Sequence, residues 1–221
     1  MHDFLRTDTY IESLDEGNTS FLDELEKEAL ENDVPIIRRS MQRFLKLMLK
    51  MNQPKNILEV GTAVGFSAIL MAQYSDPDCR ITTIEKYEKR IPVAEENFKK
   101  SGFNERINFL KGDATEILSD MASGLNDGAT QQFDMIFMDA AKAQYINFLP
   151  DVLKLLKKGG VLITDNVLQD DTVIQSKYTV VRRDRTIHKR MREYLYELMH
   201  DEQLTTDILQ VGDGISVSVK N

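Results

Sequence analysis

Two apolar runs in this 221-residue chain close on acid: FDMIFMD ends at Asp139, and GVLITDN ends at Asp165 and Asn166. An aspartate that follows a strand is, taken alone, most often the N-cap of the next helix. Two strand ends that both close this way point instead to a shared site. Two carboxylates and an amide oxygen are hard ligands, suited to Mg²⁺ with water and substrate completing an octahedron. No cysteine or histidine competes nearby in sequence, since His2, His188 and His200 fall outside the alternating region described below.

A second group suits a nucleotide-like ligand. The segment Glu59-Val60-Gly61-Thr62-Ala63-Val64-Gly65-Phe66-Ser67 puts a glycine turn between an apolar run and a helix-period segment. Backbone N–H groups in such a turn face an incoming ligand. Nicotinamide proteins favour G-x-G-x-x-G, whereas alanine stands at position 63 and the spacing here is E-x-G-x-x-x-G. That suits S-adenosylmethionine, which has no pyrophosphate and so needs no second close-approach glycine; the bland alternative is a tight turn packing a helix on a strand. RITTIE then ends in Glu85, 24 residues after Gly61, where a carboxylate can accept both ribose hydroxyls. At Gly112-Asp113-Ala114 the small residue admits an adenine edge, and Asp113 reads equally as a helix cap or an adenine contact.

These residues need elements that bring them to one edge. From Asn56 onward, short apolar runs alternate with helix-period segments: NILEV and FSAILMAQY, RITTIE and EKRIPVAEENFKKS, RINFLKG and ATEILSDMAS, FDMIFMD and YINFLPDVLKLLK, then GVLITDN. Such alternation predicts an α/β, doubly wound, mostly parallel sheet whose ligands bind at the carboxyl ends of the strands. TTDILQV and ISVSVK, joined through Gly212-Asp213-Gly214, predict an antiparallel C-terminal hairpin, with Asp213-Gly214 read as turn chemistry. Ahead of the sheet, Thr19-Ser20 precedes one amphipathic helix and IIRRSMQRFLKLMLKM forms a second, which gives a helical cap. Residues 1–221 are expected to form one domain, 1–53 as the helical extension and 54–221 as the core.

Composition sets the partners. Net charge is −8, but residues 1–33 hold 11 acids against 2 bases, so the rest of the chain is nearly neutral. Within it, Lys177 to Arg192 carries seven bases and one acid. No run approaches the roughly 18 apolar residues of a membrane helix, and the start MHDFLRTDTY lacks a signal core, so no membrane partner and a cytoplasmic location are expected. The single cysteine, Cys79, excludes an internal disulfide framework.

LEVGTAVGFSA, TTIEK, the GDA step, MDAAKAQYINF and ITDNVL, in this order and spacing, resemble the cation-dependent O-methyltransferases of the catechol and caffeoyl-CoA type, from about Val34 to the C-terminus. Within that family, the VPI at Val34 to Ile36, DAAKAQYINF, ITDNVL and VGDGISVS are most similar to the bacterial branch that methylates 5-hydroxyuridine in tRNA. The resemblance implies a seven-stranded Rossmann-like methyltransferase sheet and a homodimer. It also implies Mg²⁺ on Asp139, Asp165 and Asn166, and S-adenosylmethionine lined by Val34, Glu59, Gly61, Ser67, Glu85, Asp113, Ala114 and Asp139.

Mg²⁺ chelated by a hydroxyl and a neighbouring oxygen would orient the hydroxyl and lower its pKa. Catechol has that pair, and so does 5-hydroxyuracil. Lys142, three residues past Asp139, either takes the proton, stabilises the oxyanion or is simply a solvated lysine. Arg182, Arg183, Arg185, Lys189 and Arg190 read as RNA phosphate contacts or, equally by composition, as a solvated or interface helix that pairs with the acidic N-terminal helices. The family resemblance favours tRNA as partner. A small-molecule O-methyltransferase and a non-catalytic nucleotide-binding module remain the alternatives.

Overall fold

The computed structural model describes residues 4–126, 128–168, 172–176 and 178–221; His2 and Lys177 lie outside them. Three helices precede the sheet: α1 (Phe4–Ser13), α2 (Ser20–Glu31) and α3 (Arg39–Asn52). The sequence pattern anticipated the last two. In α2 the Thr19 hydroxyl accepts the Leu22 amide, and Leu22, Leu25 and Ala29 fall on one buried face. Helix α3 buries Met41, Gln42, Leu45 and Leu49 and ends at Gln53 in the left-handed region, just before Pro54.

The sheet follows, built from β1 (Asn56–Val60), β2 (Arg80–Glu85), β3 (Ile107–Lys111), β4 (Phe133–Met138), β5 (Leu156–Thr164), β6 (Leu204–Leu209) and β7 (Ile215–Lys220). Their spatial order is β3-β2-β1-β4-β5-β7-β6. The first five run parallel, and β7 pairs antiparallel with both β5 and β6. The order reverses between β1 and β4, which opens a crevice at their carboxyl ends.

Helices α4 (Phe66–Tyr74), α5 (Ile91–Ser101), α6 (Ala114–Ser123), α7 (Tyr145–Leu155) and α8 (Arg185–His200) cover the two faces. Alternate strand residues feed two cores: Ile57, Ile81 and Phe137 meet α3, α4 and α5, while Leu58, Ile84 and Ile136 meet α6, α7 and α8. Leu22 and Leu25 of α2 join the first core. Burial on both faces accounts for the nearly unbroken apolar runs of β1 and β4.

One boundary differs from the sequence reading. Strand β5 starts at Leu156 rather than Gly160, because Leu156 pairs with Phe133 and a register shift before Met135 absorbs the next residues. Among the described residues, no helix is long and apolar enough to cross a membrane.

Candidate active site

At the β1–α4 turn, Gly61, Ala63 and Gly65 all have positive φ, at +107, +48 and +88. A Cβ on Gly61 would collide with the Asp139 carbonyl oxygen, so only glycine lets this turn pass the end of β4. The turn is tied to β2: the Gly61 and Thr62 amides donate to the Ile84 carbonyl. At the tip of β2 the Glu85 carboxylate accepts three amides, from Ala63 at 2.8 Å, Lys86 at 2.9 Å and Tyr87 at 2.8 Å. Such a carboxylate is immobile before any ligand arrives.

Two expected pocket residues stand elsewhere. Glu59 is fully buried behind the pocket wall, where its carboxylate accepts the Thr83 hydroxyl, itself hydrogen-bonded to Thr62. Burial pushes the Glu59 pKa up to about 7, against the Ser67 and Thr83 hydroxyls, which favour the charged form. Val34 uses its amide to close α2 on the Ala29 carbonyl at 2.9 Å, and Pro35 to Arg38 form the cavity rim instead. Ser67, Glu85, Asp113 and Ala114 do line the cavity. Asp113 also caps α6 through the Thr115 amide at 2.8 Å and pairs with Lys86 at 3.2 Å, so its carboxyl lies below the usual range.

At the other end of the same cavity are Asp139, Asp165 and Asn166. Each aspartate is pinned by the neighbouring strand, the Asp139 amide to the Val60 carbonyl at 3.0 Å and the Asp165 amide to the Met138 carbonyl at 2.9 Å. Burial lifts Asp139 to about 6 against the pull of Lys142. Burial and the charge of Asp139 lift Asp165 to about 7. Two buried carboxylates whose pKa stays raised despite Lys142 are short of positive charge, and with the Asn166 amide they fit a small hard dication. Among the described residues no three Asp, Glu, His or Cys side chains form a metal-binding group, so such an ion would draw on two carboxylates and the amide.

Lys142 opens a 3-10 turn, Lys142–Gln144, on the cavity wall. Arg190 of α8 clamps that turn by donating to the Ala143 carbonyl at 3.0 Å. The structure thereby divides the basic set. Arg190 and Arg185 are committed to carbonyls, Arg185 to that of Val180. Arg182 and Arg183 are exposed, Arg183 beside Asp184, and the exposed Lys189 pairs with Glu193. Within the chain, acids of the N-terminal segment meet arginines of α3: Asp15 meets Arg43, and Asp23 and Glu26 meet Arg39.

Sequence reasoning passed over two features at or behind the cavity. The Asp213 turn is a turn, yet its carboxylate lines the cavity and pairs with Arg38 at 2.6 Å. The buried Tyr145 hydroxyl links the backbones behind both aspartates. Tyrosine in DAAKAQY and the Asp-Gly pair were the available signals, but neither names its partner across the fold.

The sequence model of a family described as O-methyltransferase matches residues 12–221. The chain belongs to the O-methyltransferase family. It is 35% identical over 137 residues to the catechol O-methyltransferase of Niastella koreensis, spanning 62% of this chain and 60% of that protein. A Staphylococcus aureus structure assigned as a caffeoyl-CoA O-methyltransferase is 33% identical, with a TM-score of 0.87 over 98% of this chain and all (100%) of that one. TomG of Streptomyces achromogenes, solved with S-adenosylmethionine, is 25% identical, with a TM-score of 0.84 over 100% of both chains. In this O-methyltransferase, Glu85 and Asp139 line one and the same cavity.

Proposed function

We propose that the chain binds S-adenosylmethionine at the Glu85 end of the cavity and, with Mg²⁺ at the Asp139 end, methylates the 5-hydroxyl of 5-hydroxyuridine in tRNA. The observation that carries this reading is the continuity of one cavity, about 680 Å³, from Glu85 and Asp113 to Asp139, Asp165 and Asn166. Methyl transfer is an in-line displacement, so donor and acceptor must share an enclosure with reacting atoms about 3–3.5 Å apart.

Glu85, held by three amides, accepts the ribose hydroxyls, and Ala114 leaves room for the adenine edge. Asp139, Asp165 and Asn166 would hold the cation, which when bound fixes a chelating hydroxyl and lowers its pKa. Lys142 on the cavity wall takes the hydroxyl proton or, with the proton passed to water, stabilises the oxyanion left behind. The acceptor oxygen then bonds the methyl carbon as its bond to sulfur breaks.

The tRNA assignment draws on the basic segment. The Arg190 bond to Ala143 docks α8 on the wall that carries Lys142, which supports reading the exposed Arg182, Arg183 and Lys189 at and near the start of that helix as contacts for an RNA backbone. A small-molecule catechol or caffeoyl-CoA acceptor is the second reading, favoured by the names of the relatives and by the commitment of Arg185 and Arg190 to carbonyls. Incubating undermethylated tRNA with enzyme, S-adenosylmethionine and Mg²⁺, with catechol in parallel, separates the two. Nucleoside mass spectrometry should detect 5-methoxyuridine that EDTA abolishes; methylated catechol with unchanged tRNA would replace this reading with the second.

A further inference from the structure

We propose that Asp213, in the turn between β6 and β7, is the positioning residue for Asn166, and that Arg38 holds Asp213 in place. The cation end of the cavity would thereby depend on the N-terminal helical segment. This rests on the divalent-cation reading above.

Asn166 has left-handed backbone, φ +56, and its amide donates to the Asp165 carboxylate at 2.7 Å. Its side chain donates through Nδ2 to Asp213 Oδ2 at 3.5 Å. That bond commits the N–H end of the amide and leaves the carbonyl oxygen, the atom a hard cation takes, for the cavity that Asn166 lines. An asparagine without such a partner could present either end.

Asp213 is itself fixed. The Val167 amide donates to the Gly214 carbonyl at 2.9 Å and the Leu168 amide to the Asp213 carbonyl at 3.0 Å, so the turn is bonded to the residues directly after Asn166. At Gly214, φ +81, a Cβ would run into Leu168, which shows how closely the two segments pack. From the other side, Arg38 Nη2 lies 2.6 Å from Asp213 Oδ1, and Arg38 is the residue that opens α3. Three pieces far apart in sequence therefore meet at one amide.

The competing account is that Asp213 acts only as one more negative charge near the cation. The two accounts give opposite signs at Arg38. Removing a nearby positive charge would tighten cation binding by simple electrostatics, but would loosen it if Arg38 holds the positioning carboxylate.

The test is Mn²⁺ titration of the full chain, followed by the paramagnetic resonance of free Mn²⁺. Asp213→Ala should weaken Mn²⁺ roughly 10- to 100-fold, the usual effect of losing a hydrogen bond to a metal ligand. Asp213→Asn, which keeps an acceptor oxygen for Asn166, should lose less. Arg38→Gln should weaken binding roughly two- to fivefold, the scale of an exposed ion pair. Unfolding midpoints should move by no more than about 4 °C in each variant, which separates these effects from misfolding. Tighter binding in Arg38→Gln, or unchanged binding in Asp213→Ala, overturns this inference and leaves the cation reading standing. A wild-type chain that binds no Mn²⁺ overturns both.

Discussion

The Tyr145 hydroxyl donates to the backbone carbonyl of Asp165 at 3.4 Å while its oxygen accepts the Ala140 amide at 3.2 Å. One fully buried ring thus spans the backbones that carry the two aspartates. Beside it, at a ring separation of 5.6 Å, Tyr194 shares a 2.6 Å hydrogen bond with Thr164, so two hydroxyls anchor the end of β5 from below. Tyr145→Phe keeps the ring and leaves the Ala140 amide unpaired, which should cost on the order of 1–3 kcal/mol of stability. Methyl transfer should fall as the aspartates lose their common support. Urea unfolding with no measurable loss would show that neither long hydrogen bond contributes.

Glu85 already accepts three amides, so its carboxylate needs no reorganisation to meet a ribose. With the ribose held as proposed, Glu85→Ala would leave its hydroxyls without that acceptor and would also free the Ala63, Lys86 and Tyr87 amides. S-adenosylmethionine binding should weaken about 10- to 100-fold, the equivalent of 1–3 kcal/mol. Calorimetry that found undiminished affinity would move the ribose elsewhere in the cavity.

Glu59 gives a pH signature. Burial raises its folded pKa from 4.5 to about 7, so the folded chain holds this proton more tightly than the unfolded one. The protonated form is the favoured one, and stability falls as pH rises from the ordinary carboxylate range through about 7. Glu59→Gln cannot ionise and should escape that loss. Its stability relative to wild type should rise by on the order of 2 kcal/mol between about pH 5 and pH 8. Parallel unfolding curves at both pH values would mean the carboxylate is not protonated where the fold buries it.

What could be read in advance follows from the range of the forces involved. The βα alternation, the Thr19 cap and the acids that close β2, β4 and β5 are local patterns, and local patterns carry over to the fold. Where Val34 and Glu59 stand relative to the cavity depends on which wall the fold turns inward, and no local pattern gives that. Here Pro35 to Arg38 take the rim, and Glu59 faces Thr83 behind the pocket. The Arg38 and Asp213 pair joins a helical cap to a C-terminal turn, and no spacing rule connects positions so far apart. Arg190 was legible as a charge but not as a clamp on Ala143, since a carbonyl partner leaves no mark in sequence.

The basic segment yields the prediction that separates acceptor classes. Arg182, Arg183 and Lys189 are exposed, whereas Arg190 is tied to the loop that carries Lys142. Replacing Arg182 and Arg183 together with Gln should weaken tRNA binding, reduce the slope of log affinity against log salt by about one unit per lost phosphate contact, and leave S-adenosylmethionine affinity unchanged. Arg190→Gln should behave differently. It removes a hydrogen bond from the cavity wall, so turnover should drop even with a small catechol acceptor, where no phosphate is present. If the chain were built for small molecules, the paired arginine variant would match wild type in every assay and tRNA would show no salt-dependent binding. If instead both variants lost only tRNA affinity, Arg190 would be a phosphate contact and its bond to Ala143 incidental. Filter binding across a salt series, together with catechol turnover for the same proteins, distinguishes these outcomes.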